Sequence, residues 1–205
     1  QRGVTVLKKS FGTIDELRFE AIGPSIGKEL RDKSIYAIVI VILAIIGYIA
    51  WSFRKVEKVV SSWIYGVIAI IALAHDVLIP LGIFAFLGKF YNVEVTSAFV
   101  AAILTVLGYS VNDTIVVFDR VRENLRRHTH DDFVELVGVS IKQTIRRSIN
   151  TSITTLLVLG AIYFFGGASI KPFALVLMIG VLSGTYSSIF LASPLLVSWS
   201  LKRAK

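Results

Sequence analysis

The sequence predicts an all-α polytopic membrane protein, and three observations lead to this fold class. The mean hydropathy of the 205 residues is +0.73, 55% of them are hydrophobic, and only 18% are charged. A soluble domain has about 45–50% apolar residues and about 25% charged residues. The apolar residues also lie in long blocks, without the polar residues that interrupt a soluble helix at every third or fourth position. The chain is therefore expected to hold several membrane-spanning helices.

Five apolar stretches are long enough to cross a bilayer. The hydrocarbon core is about 30 Å thick and requires about 20 residues of helix. Because lipid cannot hydrogen-bond the backbone, helix is the state expected for such stretches. The predicted spans are residues 34–53, 61–87, 95–118, 148–165 and 172–201. We expect a cytoplasmic loop at 119–147, with an amphipathic helix at 131–147, and a cytoplasmic tail at 202–205.

The distribution of Lys and Arg predicts the orientation of these spans. Thirteen of these residues follow the first, third and last spans, whereas the two other loops hold only Lys89 and Lys171. Since basic loops remain in the cytoplasm, the C-terminus is predicted to be cytoplasmic and the N-terminal segment to lie outside. Residues 1–33 hold seven Lys and Arg, which conflicts with this rule unless they end a long translocated domain, whose charge matters little.

The first 33 residues are predicted to be the end of an exterior α+β domain. A Gly- and Pro-containing turn at 22–27 would lead from it into the membrane. The only methionine is Met178, and an odd number of spans with an exterior N-terminus requires an upstream helix. We therefore expect a fragment that lacks a first helix and most of an exterior domain.

Asp113 is an ionisable residue inside the third predicted span. Such residues cost about 2.5–3.5 kcal/mol each on insertion scales and commonly mark function. Ser110 and Thr114 share its helical face, and a face of small and polar residues suits close helix contact. The alternative is that Asp113 only stabilises helix packing.

His75 and Asp76 lie near the middle of the second span, and Asp76 precedes Pro80 by four residues. A proline frees a backbone carbonyl one turn earlier and kinks the helix. The pair either satisfies this local defect or a neighbouring helix, or it belongs to a proton path. The sequence favours neither interpretation.

Arg147 precedes a run of hydroxyl and amide side chains in the fourth span. Arginine at a cytoplasmic helix end is ordinary, but Asn150, Thr151 and Thr154 are unusual for a surface that faces lipid. They predict a polar interior face that begins at Arg147 and allows this residue to pair with Asp113. Protonation of the aspartate would release the pair and create a two-state element.

The last span contains a GxxxG pattern, and the chain contains no cysteine. Gly180 and Gly184 predict close helix packing. The absence of cysteine excludes a disulfide framework, a Cys-ligated metal and a thiol nucleophile. We expect no catalytic residue and no metal site.

Several motifs resemble the SecF family of protein-export membrane subunits. Residues 108–124, GYSVNDTIVVFDRVREN, are similar to the family signature. Other matches are AIGPSIGKEL at 21–30, AHDV at 74–77, RSINTS at 147–152 and GTYSSIF at 184–190. The resemblance runs in order from about residue 21 to 200.

This resemblance implies a subunit of the SecDF complex, related to the resistance–nodulation–division superfamily, of whose six helices this chain holds helices two to six. It implies that the subunit uses the proton gradient, without a cofactor or hydrolytic chemistry, to drive late translocation of preproteins. The implied partners are SecD, the SecYEG channel, YajC, YidC and the lipid bilayer, with no nucleic acid. The implied location is the cytoplasmic (inner) membrane of a bacterium or archaeon.

The resemblance also implies roles for particular residues. Asp113 and Arg147 match the positions that couple proton movement in the family. The polar residues expected to support them within the membrane are Asn112, Thr114, Asn150, Thr151, His75 and Asp76.

Three alternatives stay open at this point. An intramembrane aspartyl protease needs two facing aspartates, for which Asp76 and Asp113 are available, but the Gly-x-Gly-Asp pattern is absent. A structural scaffold of the translocon would not require the gradient. A proton-driven small-molecule exporter of the related class is less favoured, since the Sec-type motifs are more specific than a likeness of fold.

Overall fold

The computed structural model describes residues 24–53, 61–91, 93, 95–127 and 132–203. The chain divides into two compact units, residues 1–33 and 34–205. The described part of the first unit is helical, and Lys33 Nζ lies 2.6 Å from Glu29 Oε1 within it. Residues 1–23 of the remnant of an exterior domain predicted at residues 1–33 lie outside the described residues.

The described residues form six α-helices and one π-helical turn, and none of them lies in a strand. The helices are α1 Pro24–Phe53, α2 Ser62–Tyr91, α3 Ser97–Arg127, α4 Phe133–Phe165, α5 Lys171–Ser187 and α6 Ser193–Arg203. The π-helical turn, Ser188–Ala192, joins α5 to α6.

Five segments of these helices are long and apolar enough to cross a membrane. They are Asp32–Ile49, Trp63–Tyr91, Ser97–Arg127, Phe133–Phe165 and Lys171–Lys202. The predicted all-α polytopic class is thereby confirmed, and the chain is a multi-pass membrane protein.

The described part of the segment predicted as a cytoplasmic loop at 119–147 is almost entirely helical, and its position outside the membrane stays a prediction. Helix α3 continues to Arg127 and α4 begins at Phe133, so the predicted helix at 131–147 is continuous with the fourth span. Contacts between the two extensions explain this. Asn124 Nδ2 on α3 donates to Ser140 Oγ on α4 over 2.8 Å and to Gln143 Oε1 over 3.0 Å. These hydrogen bonds satisfy the buried amide of Asn124 and hold the extensions of α3 and α4 against each other.

Two other helix boundaries differ from the prediction. Helix α1 begins at Pro24, within the predicted turn at 22–27, because the first turn of a helix tolerates a proline that lacks an N–H. The last span is not one α-helix, since the π-helical turn interrupts it. There, Ser193 Oγ donates to Ser188 O over 2.9 Å, five residues earlier.

Helix α3 contacts α2, α4 and α5, and its most extensive contact is with α5. Two apolar clusters surround it. The first includes an edge-to-face pair of rings, Tyr65 on α2 and Phe118 on α3, with centroids 5.2 Å apart. The second includes Phe84 on α2 and Phe99 on α3, with ring centroids 4.9 Å apart. These clusters fix the depth and rotation of the helices that carry the polar residues.

Candidate functional site

A layer of buried polar side chains lies between the two apolar clusters. On α2, Asp76 lies between Leu73 of the first cluster and Phe84 of the second. On α5, the serines that contact Asp76 follow Val181 of the second cluster. We call this set the polar layer; its buried members are Asp76, Ser110, Asp113, Thr114, Ser183 and Ser187.

Asp76 is the centre of the polar layer, and its side chain is fully buried. Its Oδ2 accepts hydrogen bonds from Ser110 Oγ on α3 and, over 2.6 Å, from Ser187 Oγ on α5. Its Oδ1 accepts from Ser183 Oγ on α5 over 3.0 Å and lies 2.9 Å from His75 Nδ1. A carboxylate has about four lone-pair positions, so every acceptor position of Asp76 has a partner.

Of the two structural roles considered for the His75–Asp76 pair, the local defect at Pro80 and a neighbouring helix, the structure shows contacts with neighbouring helices. The partners of Asp76 are hydroxyls on two neighbouring helices, although Pro80 lies within the same helix one turn later. His75 is partly exposed, with 33% of its side chain accessible, and its ring stacks on Tyr186 with centroids 6.4 Å apart.

Two glycines on α5 allow this helix to approach α3 closely enough for these bonds. A methyl group added at Gly180 would overlap the side chain of Val106 on α3. A methyl group added at Gly184 would lie 3.1 Å from Ser110 Cα, which is closer than side chains normally pack. Small residues at such a crossing bring backbones together, and here Gly184 packs against Ser110, which is one of the partners of Asp76.

Asp113 is also buried, with 4% of the residue exposed, but it has fewer partners than Asp76. Thr185 Oγ1 on α5 lies 3.5 Å from its Oδ2, at the outer limit of a hydrogen bond. The same hydroxyl lies 2.9 Å from Val181 O and contacts Ser152 Oγ on α4. Because Thr185 has a single hydroxyl proton, it cannot donate to Asp113 and to Val181 O at the same time, so Asp113 is less completely hydrogen-bonded than Asp76.

Arg147 lies near Asp113 but does not form an ion pair with it in this structure. Its charge contributes to the electrostatic environment of Asp113, as do the hydroxyls of Thr185 and Ser148. The Arg147 side chain is itself exposed on α4. The pairing of these two residues stays a prediction, and it requires the guanidinium to move toward the polar layer.

The polar face predicted for α4 does not lie in the interior of this chain, and its burial against a partner stays a prediction. Asn150, Thr151 and Thr154 are exposed in this chain, as is Asn112 on α3. The buried polar residues of α4 lie one position to either side of that face and repeat every fourth residue: Ser140, Thr144, Ser148 and Ser152. Of the predicted supporting residues, Asp76 and Thr114 lie in the polar layer, and both are buried.

Sequence reasoning did not identify the α5 residues that contact the two aspartates. Ser183 and Ser187 bind Asp76, and Thr185 contacts Asp113. A signal was present, because Ser183 and Ser187 are spaced by one helical turn beside the GxxxG glycines. What the sequence lacks is the rotation of α5 that turns these hydroxyls toward α2.

Metal ligands do not cluster in the part of the chain that the structure describes. No group of three or more His, Cys, Asp or Glu side chains there is arranged to hold a metal ion. The chemistry of the polar layer is consequently that of carboxylates, hydroxyls and one imidazole.

Comparison with known proteins identifies the family. Residues 4–202 match the family described as "Protein export membrane protein SecD/SecF, C-terminal". The chain belongs to the SecD/SecF family. The resemblance predicted from the five sequence motifs is thereby confirmed.

Individual relatives in the SecD/SecF family agree with this assignment. Protein translocase subunit SecF of Thermobaculum terrenum is 54% identical over 197 residues, which cover 96% of this chain and 61% of that protein. The SecF subunit of Desulfurispirillum indicum is 48% identical over 189 residues, which cover 91% of this chain and 56% of that protein. The chain thus spans about three fifths of the curated relatives that it matches.

A solved structure of the SecD/SecF family has the same fold. The chain is similar to "Crystal structure of SecDF in Super-membrane-facing form", with a TM-score of 0.79 and 37% sequence identity. The match covers 99% of this chain and 26% of that chain. The helices of this chain are therefore arranged as they are in that SecDF structure.

Proposed function

We propose that this chain is the membrane part of a SecF-type subunit that uses the proton gradient to drive late-stage translocation of preproteins. The observation that carries the proposal is Asp113, a buried carboxylate that has fewer hydrogen-bond partners than Asp76 and lies within the electrostatic influence of Arg147. Relatives that share most of this chain are named protein translocase subunit SecF. In this role the chain is a transport subunit without hydrolytic chemistry and needs no cofactor.

The proposed cycle alternates between two states of Asp113. In the ionised state the carboxylate pairs with Arg147, and in the protonated state the pair separates and α4 and α5 rearrange. Thr185 contacts both Asp113 and Ser152, so α5 is positioned to transmit the change to α4. Moving one charge through 100 mV is worth about 2.3 kcal/mol, which is enough to shift a two-state equilibrium more than tenfold.

The proposed partner is SecD, together with SecYEG and, as the family resemblance implies, YajC and YidC. The exposed Asn112, Asn150 and Thr151 support a membrane partner, because polar side chains rarely face lipid. SecD would cover this surface and complete the proton path. The proposed location is the cytoplasmic membrane, with the C-terminus in the cytoplasm and the N-terminal segment outside.

The polar layer argues against an aspartyl protease. Such an enzyme activates a water molecule between two carboxylates, but every acceptor position of Asp76 already has a protein partner. Proton binding at Asp113 needs no second free carboxylate.

The test of this function is Asp113→Asn in the complete protein with SecD. Preprotein release from membrane vesicles is measured with the gradient intact and with it collapsed by an ionophore. We expect the variant to assemble normally and to translocate only at the rate of the ionophore-treated parent protein.

Asp119→Asn is the matched control, since Asp119 is on the same helix but exposed, 3.6 Å from Arg122 Nη1. It should leave the gradient-dependent rate unchanged. Normal gradient-dependent release in the Asp113→Asn variant would contradict the proposed function and favour a structural scaffold.

A further inference from the structure

We propose that Asp76 is a positioning residue that clamps α2 to α3 and α5, and that this clamp holds Thr185 at Asp113. We define the clamp as Asp76 with Ser110, Ser183 and Ser187. The inference rests on the proposed function only in taking Asp113 as the residue that binds the proton.

The two buried aspartates differ in the number of their hydrogen-bond partners. Asp76 has two partners on each carboxylate oxygen, three of them serine hydroxyls from other helices. A proton carrier must exchange its partners during a cycle, whereas breaking the clamp would leave several buried polar groups unsatisfied, each at substantial cost. Asp76 therefore fits a fixed anchor, and Asp113, with one long hydrogen bond from Thr185 and the Ser148 hydroxyl nearby, fits the exchanging group.

Helix α5 contacts the two aspartates through different faces. Ser183 and Ser187 are one turn apart and both reach Asp76, whereas Thr185 lies about 200° around the helix from Ser183 and reaches Asp113. One helix thus contacts the two carboxylates through opposite sides. Any rotation or slide of α5 that breaks the clamp also moves Thr185 relative to Asp113.

A π-helical turn follows the clamp on α5. The π-helical turn begins at Ser188, directly after the last clamp residue. Such turns widen a helix locally and commonly occur at functional sites. The clamp therefore fixes α5 at the point where its regular hydrogen bonding stops.

The charged and titratable groups that face this region come from several helices. His75 on α2 contacts Asp76, Tyr186 on α5 stacks on His75, and Arg147 on α4 acts on Asp113. None of these groups changes in the variants used below, so an altered protonation of Asp113 would arise from the clamp.

The first experiment measures protonation of Asp113 directly. A hydrophobic carbodiimide modifies protonated carboxyls, and mass spectrometry locates the label at Asp113 in the full chain in membranes at a series of pH values. Single serine variants, Ser183→Ala and Ser187→Ala, are used because Asp76→Asn perturbs all four contacts and is more disruptive to folding. Weakening the Thr185 contact should extend labelling to higher pH by about 0.5 to 1 unit.

Ser188→Ala is the matched control. Ser188 is as buried as Ser187, but its hydroxyl donates to Thr185 O of its own helix over 3.1 Å and does not contact Asp76. It should leave the labelling profile of Asp113 unchanged. Equal profiles for Ser187→Ala and Ser188→Ala would overturn the proposal.

A second experiment reports the position of α5 without reference to Asp113. The chain has no cysteine, so the pair Ser152→Cys and Thr185→Cys, which replaces two hydroxyls in contact, can be cross-linked by mild oxidation. Adding Ser187→Ala should slow disulfide formation several-fold, whereas adding Ser188→Ala should not.

The two experiments separate the possible failures. If Asp113 in the parent protein shows no pH-dependent labelling, the proposed function fails, and the disulfide rate still decides whether the clamp holds α5. If Asp113 is labelled normally but neither measurement responds to Ser187→Ala, the clamp proposal alone is contradicted.

Discussion

At the scale of residues, the two intramembrane aspartates differ in their partners rather than in their burial. Both are buried, but Asp76 has four polar contacts, whereas Asp113 has a long hydrogen bond from Thr185 and the Ser148 hydroxyl nearby. The sequence singled out both acids, since charges inside spans are rare. It could not rank them, because the distinguishing hydroxyls are 34 to 111 residues away along the chain.

The close approach of α5 to α3 can be tested by adding one methyl group to a glycine of α5. Gly180→Ala should destabilise the protein by about 1–3 kcal/mol, as overpacking does, because the methyl would overlap Val106. The measurement is thermal or denaturant-induced unfolding of the purified chain.

Gly160→Ala on α4 is the control, since no atom lies within 4 Å of the added methyl. It should be neutral or slightly stabilising, as alanine favours helix over glycine. Equal destabilisation by the two changes would contradict the packing described for α5 on α3.

At the scale of elements, the length of the apolar stretches predicted the five spans but not where the helices end or which face of each is buried. Apolar length is a local property, so the five spans could be read from the sequence. The extensions of α3 and α4 depend on contacts between them, such as Asn124 with Ser140. The face of α4 depends on which residues meet α3 and α5, and the sequence pattern placed it one position away from the buried serines.

The exposed polar face of α4 leads to a test of its surroundings. In the cysteine-free chain, Thr151→Cys should react with a water-soluble maleimide much faster than Leu157→Cys, when both are assembled with SecD in membranes. Both residues are exposed in this chain, Leu157 at 69%, but a thiol becomes a reactive thiolate only where water reaches it. We expect Thr151 to line a hydrated contact and Leu157 to face lipid.

Equally slow reaction at both positions would place the Thr151 face in lipid. The partner surface proposed for Asn112, Asn150 and Thr151 would then be wrong. Equally fast reaction would show that the method does not separate the two environments, and Phe164→Cys, at a residue 73% exposed, provides a further position for lipid contact.

At the scale of the whole molecule, the described helices place the polar layer between two apolar clusters. The family and the fold class were predictable, since they rest on five ordered motifs and on apolar blocks that are visible along the chain. The polar layer was only partly predictable, because the way its members meet is fixed by helix crossings. The central claim is that Asp113 binds and releases the protons that move through the assembled protein.

The most direct test of this claim is proton flux in vesicles. The complete protein and SecD are reconstituted with a pH-sensitive dye inside, and a pH gradient is imposed across the membrane. We predict that the parent protein dissipates the gradient and that vesicles containing the Asp113→Asn variant hold the gradient as long as protein-free vesicles do. Dissipation by Asp113→Asn at the parent rate would contradict the account, because the protons would then travel by a route without Asp113.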